Sequence, residues 1–130
     1  MDQRDAYAAF QEGARLLATN NAHAAVVALE RARDLEPEQG SVRETLARAY
    51  FRSGQFAAAE AEFHAALNLD PVNDYAHFGI GVCRLRAGDP RGARGHLRQA
   101  TVMRPENADY RAALDEATPD DDPVREEPRA

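Results

Sequence analysis

The stretch LARAYFRSGQFAAAEAEFHAALNLDP, residues 46–71, decides the fold. Leu46, Ala47 and Tyr50 fall on one face of a helix, at steps of one and three. Gly54 interrupts that helix. Ala59, Phe63, Ala66 and Leu67 then form a second apolar stripe at helical steps. Pro71 prevents continuation and biases Asp70 away from helical geometry. The spacing predicts two helices of roughly four turns each, joined by a tight turn. Ala47 and Ala59 are small where the two helices must approach, and larger side chains there would force them apart.

The same pattern recurs on both sides of this stretch. Pro37, Pro71 and Pro105 are spaced 34 residues apart. Gly13, Ala47 and Gly81 keep that step, as do Ala25, Ala59 and Ala93. So do Leu29, Phe63 and Leu97, and Ala32, Ala66 and Ala100. Five registers without an insertion define three copies of one unit. Helix-boundary signals agree. Asn20-Asn21 stands at the inter-helix turn of the first copy, where Asn tolerates left-handed geometry. Asp89-Pro90 suits an N-cap followed by proline at the first helical position. Ser41 with Glu44 is spaced as a capping box.

These residues resemble the tetratricopeptide repeat (TPR) family over about residues 6–107. That pattern runs through Leu-Gly, a Tyr, a small Ala, an aromatic, another Ala and a Pro. The middle copy carries Leu46-Ala47, Tyr50, Ala59, Phe63, Ala66 and Pro71. The third carries Ile80-Gly81, Ala93, Leu97, Ala100 and Pro105. Two departures are Glu12, where Leu is usual, and Arg84, where Tyr is usual. The resemblance implies an all-α protein, an α-solenoid with right-handed superhelical stacking. Its repeats span about 6–39, 40–73 and 74–107. Residues 107–117, with Tyr110 and Leu114 facing inward, read as a capping helix, so the domain spans 1–117. Residues 118–130 hold three prolines, five acids and Val124, and read as a flexible acidic, Pro-rich tail.

In TPR proteins the first helix of each pair lines a concave groove. Carrying the family's groove positions onto this register gives Tyr7, Phe10, Ala14, Leu17 and Ala18 from the first copy. The second gives Ser41, Glu44, Arg48, Phe51 and Arg52. The third gives Tyr75, Phe78, Val82, Leu85 and Arg86. Aromatic and Arg side chains on one face are the types enriched at binding hot spots. Leu17, Phe51 and Leu85 also suit packing between neighbouring repeats, and Glu44 suits a cap. The family's carboxylate-clamp positions hold Phe10, Ala14, Thr45, Tyr75 and Gly79, none of them Lys, Arg or Asn, so that mode of binding is excluded.

The rest of the composition narrows the function. The 130 residues carry a net charge of −6, with sixteen Arg and no Lys. An acidic chain argues against nucleic acid as a partner. No apolar run is long enough to span a membrane, and the first residues, MDQRDAYAAF, lack the form of a secretory signal. One cysteine, Cys83, fits a reducing compartment, so a cytoplasmic setting is expected. His23, His64, His77 and His96 show no metal-ligand spacing, and His77 falls on a packed register. No cofactor, metal or catalytic residue is expected, hence no enzyme. Residues 84–104 hold six Arg and one Asp. They read either as a solvated face or as a seat for an acidic segment, the chain's own tail included; RNA is the weaker alternative, because no aromatic interleaves these arginines. Two functions remain. One is an interaction module, adaptor or chaperone-like, taking an apolar peptide or helix of a partner protein in its groove. The other is a self-assembling structural protein, a homo-oligomer formed by repeat stacking or groove occupancy.

Overall fold

A computed structural model describes residues 3–119. Seven α-helices follow one another: α1 (Gln3–Ala18), α2 (Ala22–Leu35), α3 (Gly40–Arg52), α4 (Phe56–Leu69), α5 (Asp74–Arg86), α6 (Pro90–Met103) and α7 (Ala108–Ala117). There is no strand among the described residues. Each helix packs on the next in the chain. The pairs α1–α2, α3–α4 and α5–α6 are the three repeats, and α7 closes the array against α6 and α5.

The turns repeat with the same 34-residue step. Asn20, Gly54 and Gly88 each adopt left-handed backbone, with φ of 63°, 82° and 82°. Glycine takes this geometry without steric cost, and Asn tolerates it best among the others. Between repeats, Glu36, Asp70 and Arg104 precede the prolines and leave helical geometry, with φ between −136° and −146°.

The capping chemistry follows the register too, with one correction. Asn73, Asp89 and Asn107 accept from the backbone N–H of Ala76, Gly92 and Tyr110, at 2.9–3.0 Å. The Ser41–Glu44 capping box does not form. The helix starts at Gly40 with Gln39 as N-cap, and no side chain caps it. Gln39 occupies the register of Asn73 and Asn107 but is one methylene too long for the Asn geometry. Ser41 lies inside the first turn, where its carbonyl accepts from the Thr45 hydroxyl at 2.7 Å.

Close approach is made by glycine. A Cβ on Gly13 would lie 2.4 Å from Leu29 Cγ, and one on Gly81 2.4 Å from Leu97 Cγ. The middle repeat solves the same problem differently. It carries Ala47 opposite Phe63, and the Phe63 ring reaches the next repeat, where a Cβ on Gly79 would come within 2.4 Å of it. Leu29, Leu46, Ile80, Cys83 and Leu97 are the large side chains fully enclosed. Burying each aliphatic side chain of this size contributes about 1.5–3 kcal/mol. Ala113 and Ala117 of α7 cover Ala93 and Leu97, the end of the core that the third repeat would otherwise expose.

Polar links join the repeats. Glu62 is buried and accepts from Arg33 at 2.8 Å and Arg43 at 2.9 Å, tying α2, α3 and α4 together. Tyr50 donates to Glu30. At the equivalent place in the next repeat, Arg84 stands for Tyr and His64 for Glu30. Arg84 then pairs with Glu60, one turn away, at 3.1–3.2 Å. Tyr110 of the capping helix donates to Asp74 at 2.7 Å. Thr118 is buried and forms the C-cap of α7, its hydroxyl donating to the Leu114 carbonyl at 2.8 Å. Residues 120–130, most of the expected tail, lie outside the described residues, and with them the expected contact with the chain's own arginines.

Candidate functional site

The first helices of the three repeats, α1, α3 and α5, share one face, and a series of hollows runs along it. At the N-terminal end, a hollow of about 440 Å³ is bordered by Tyr7 and Phe10 of α1 and Ser41 and Val42 of α3. A second, of about 510 Å³, lies between Phe10, Ala14 and Leu17 on one side and Arg48 and Arg52 on the other. A shallow third, of about 390 Å³, is bordered by Glu44, Arg48 and Tyr75. The smallest, of about 230 Å³, has walls from Phe51, Phe63, Tyr75, Phe78 and Val82, with Arg48 and Arg52 at its rim.

The expected groove residues occupy these hollows unequally. Tyr7 is 62% exposed, and its hydroxyl accepts from Gln11 at 3.0 Å. Leu17 is a core residue, 2% exposed, and presents its backbone carbonyl, which accepts from Arg52 at 3.1 Å. Phe51 is half-buried and meets Phe56 edge-on at 5.1 Å. Phe78 is half-buried and stacks on Tyr110 of α7 at 4.7 Å, so the capping helix holds one wall of the smallest hollow. Tyr75 sits between Phe63 and Phe78, at 5.9 and 6.1 Å. Burial raises the pKa of the Tyr75 hydroxyl, while the nearby Arg48 and Arg52 charges pull it down. Leu85 and Arg86 face the capping helix instead. Leu85 packs against the cluster that α7 covers, and Arg86 lies 3.7 Å from Glu116.

The opposite side of the solenoid holds a grouping that periodicity did not reveal. His77 of α5 and His96 of α6 place their Nδ1 atoms 3.1 Å apart. His64 of α4 stands edge-on to His96, with ring centroids 5.8 Å apart, and lies 3.4 Å from Glu60. Their spacings of 13 and 19 residues match no helical step. A register map placing α4, α5 and α6 side by side is the signal that finds them. Among the described residues no group of three or more His, Cys, Asp or Glu is arranged to hold a metal ion. Cys83 is enclosed, and burial pushes its thiol up to about 12, away from the reactive thiolate. No helix among the described residues is long and apolar enough to cross a membrane.

Comparison with known proteins agrees with this geometry. The tetratricopeptide repeat family model matches residues 44–108, half of the chain. The chain belongs to the tetratricopeptide repeat family. It is 33% identical over 79 residues to cellulose synthase operon protein C of Komagataeibacter xylinus, which covers 60% of this chain but 6% of that protein. Among solved structures it resembles the first TPR domain of Spaghetti (RPAP3) bound to an HSP90 peptide. The TM-score is 0.84 at 20% identity, covering 90% of this chain and 93% of that one. The Sgt2 TPR domain of Aspergillus fumigatus gives 0.78 at 20% identity, covering 86% and 76%. YrrB, a TPR protein with an unusual peptide-binding site, gives 0.82 at 20% identity, covering 88% and 58%. At such identities the likeness speaks for the fold.

Proposed function

We propose that this domain is a protein-interaction module that holds an apolar peptide or helix of a partner protein on its α1/α3/α5 face. The observation that carries this is the open hollow walled by Phe51, Phe63, Tyr75, Phe78 and Val82. A hollow of about 230 Å³ has room for one large side chain, which anchors a segment rather than engulfing a small molecule. Its aromatic walls brace one another, Phe63 against Tyr75, and Phe78 is backed by Tyr110, so little ordering entropy is lost on binding. Two solved TPR domains of RPAP3 are bound to an HSP90 and an HSP70 peptide, which favours a peptide partner here as well. An adaptor or chaperone-like role in the cytoplasm fits a short array of this kind. An array this short should bind at micromolar strength, about −8 kcal/mol.

The test is selection of peptides from an unbiased display library on the purified chain, followed by affinity measurement against variants. Tyr75→Ala and Phe78→Ala should each weaken binding by a factor of about 30 or more. Val102→Ala, at a side chain 78% exposed on α6, should leave it unchanged. The opposite pattern overturns the proposal. Light scattering that rises with concentration without peptide would favour self-assembly instead.

A further inference from the structure

We propose that Arg48 and Arg52 form a seat for a partner's acidic side chain, so that the segment held on this face carries Asp or Glu beside its apolar anchor. This rests on the preceding reading of the α1/α3/α5 face as the binding face.

Most arginines of known placement in this chain are spoken for. Arg33 and Arg43 pair with Glu62, Arg84 with Glu60, and Arg104 with Asp74. Arg48 is different. It is exposed and makes no ion pair or hydrogen bond among the described residues. Glu44, one helical turn earlier, is not within pairing distance of it. Arg52 spends one donor on the Leu17 carbonyl and keeps the other N–H groups of its guanidinium. Acidic residues outnumber basic ones by 22 to 16 in the chain, so an unneutralised arginine pair at the rim of an apolar hollow is a local reversal of sign.

The geometry suits one carboxylate. Residues 48 and 52 are four apart on α3 and therefore lie on the same helix face, one turn apart. Arg48 borders three of the hollows and Arg52 two, and both border the aromatic one. A carboxylate between two guanidinium groups accepts charge-assisted hydrogen bonds, which are stronger than neutral ones. Both arginines are exposed at the rim, so salt screens the contact. The seat differs from a clamp for a chain terminus, because Phe10, Ala14, Thr45, Tyr75 and Gly79 supply no cation.

The test uses the full chain and peptides from the unbiased selection, synthesised with amidated C-termini. The selected peptides should carry Asp or Glu near an aromatic or aliphatic residue. Replacing that acid with Asn or Gln should weaken binding about tenfold at low salt, and less at high salt. The Arg48→Glu/Arg52→Glu variant, checked for an unchanged helical spectrum, should select basic peptides instead, while Arg91→Glu should keep the acidic preference. Peptides that need Phe78 but show no loss on neutralisation overturn the acidic seat and leave the groove standing. Binding lost on amidation shows that a chain terminus is read, which also overturns the seat. Peptides indifferent to both Phe78→Ala and the double Arg variant overturn the groove itself.

Discussion

His77 and His96 meet head to head. Their Nδ1 atoms are 3.1 Å apart and their ring centroids 5.3 Å, so the nitrogens point at each other along the line between the rings. One ring can donate to the other only while the acceptor nitrogen is unprotonated. Burial lowers the pKa of both rings. For His96 the neighbouring His77, Arg84 and His64 lower it further, against Glu60. For His77, the Pro71 carbonyl and Asp74 oppose the shift, and His64 adds to it. A base whose folded pKa is depressed binds more protons unfolded, so its contribution is complete above the ordinary value of 6.5 and is lost as pH falls below it. Urea midpoints should therefore drop between about pH 7.5 and about pH 5.5. His96→Asn keeps a donor at the Nδ1 position and removes the titration, so it should shrink that drop. An undiminished drop in the variant would remove the pair from the explanation.

Gly81 and Gly95 should respond to alanine with opposite signs. A Cβ on Gly81 meets the enclosed Leu97 at 2.4 Å, whereas nothing lies within 4 Å of one on Gly95. Gly81→Ala should lose about 1–3 kcal/mol to overpacking, beyond any gain in helix propensity. Gly95→Ala should gain about 0.5–1 kcal/mol. Denaturant unfolding of the two variants decides.

Ala59 is fully buried and Ala18 exposed at the edge of a hollow. Ala59→Leu should cost about 1–3 kcal/mol or more, and Ala18→Leu close to nothing. Equal melting temperatures would show that the register has been misassigned.

Glu62 holds Arg33 and Arg43 together across two repeats. Glu62→Ala should destabilise by roughly 1.5–3 kcal/mol, the scale of hydrogen bonds to a charged group. Glu12→Ala should leave stability nearly unchanged, because Glu12 pairs with Arg15 on the surface. Thermal unfolding of both variants is the check.

The 34-residue step makes the architecture legible in the sequence. Proline, glycine and alanine mark places where backbone geometry or close approach leaves no choice, so Asn20, Gly54, Gly81 and Pro71 announce themselves. Contacts between long side chains of different repeats do not. Arg84 reads as a departure from the family pattern, yet it finds Glu60 in the preceding repeat. The histidines of α4, α5 and α6 share no periodicity, and their meeting depends on how repeats two and three stack. Leu85 and Arg86 follow the groove register, but the capping helix engages both, because the array ends there. Gln39 shows the finest grain: one methylene separates it from the Asn caps of later repeats.

Amide chemical-shift mapping shows whether the α1/α3/α5 face is the binding face. An isotope-labelled sample of the full chain is titrated with a display-selected peptide. The predicted result is shifts concentrated on α1, α3 and α5, strongest around Phe51, Tyr75, Phe78 and Val82. Shifts confined to α2, α4 and α6 would place the binding face on the other side of the solenoid and overturn this reading.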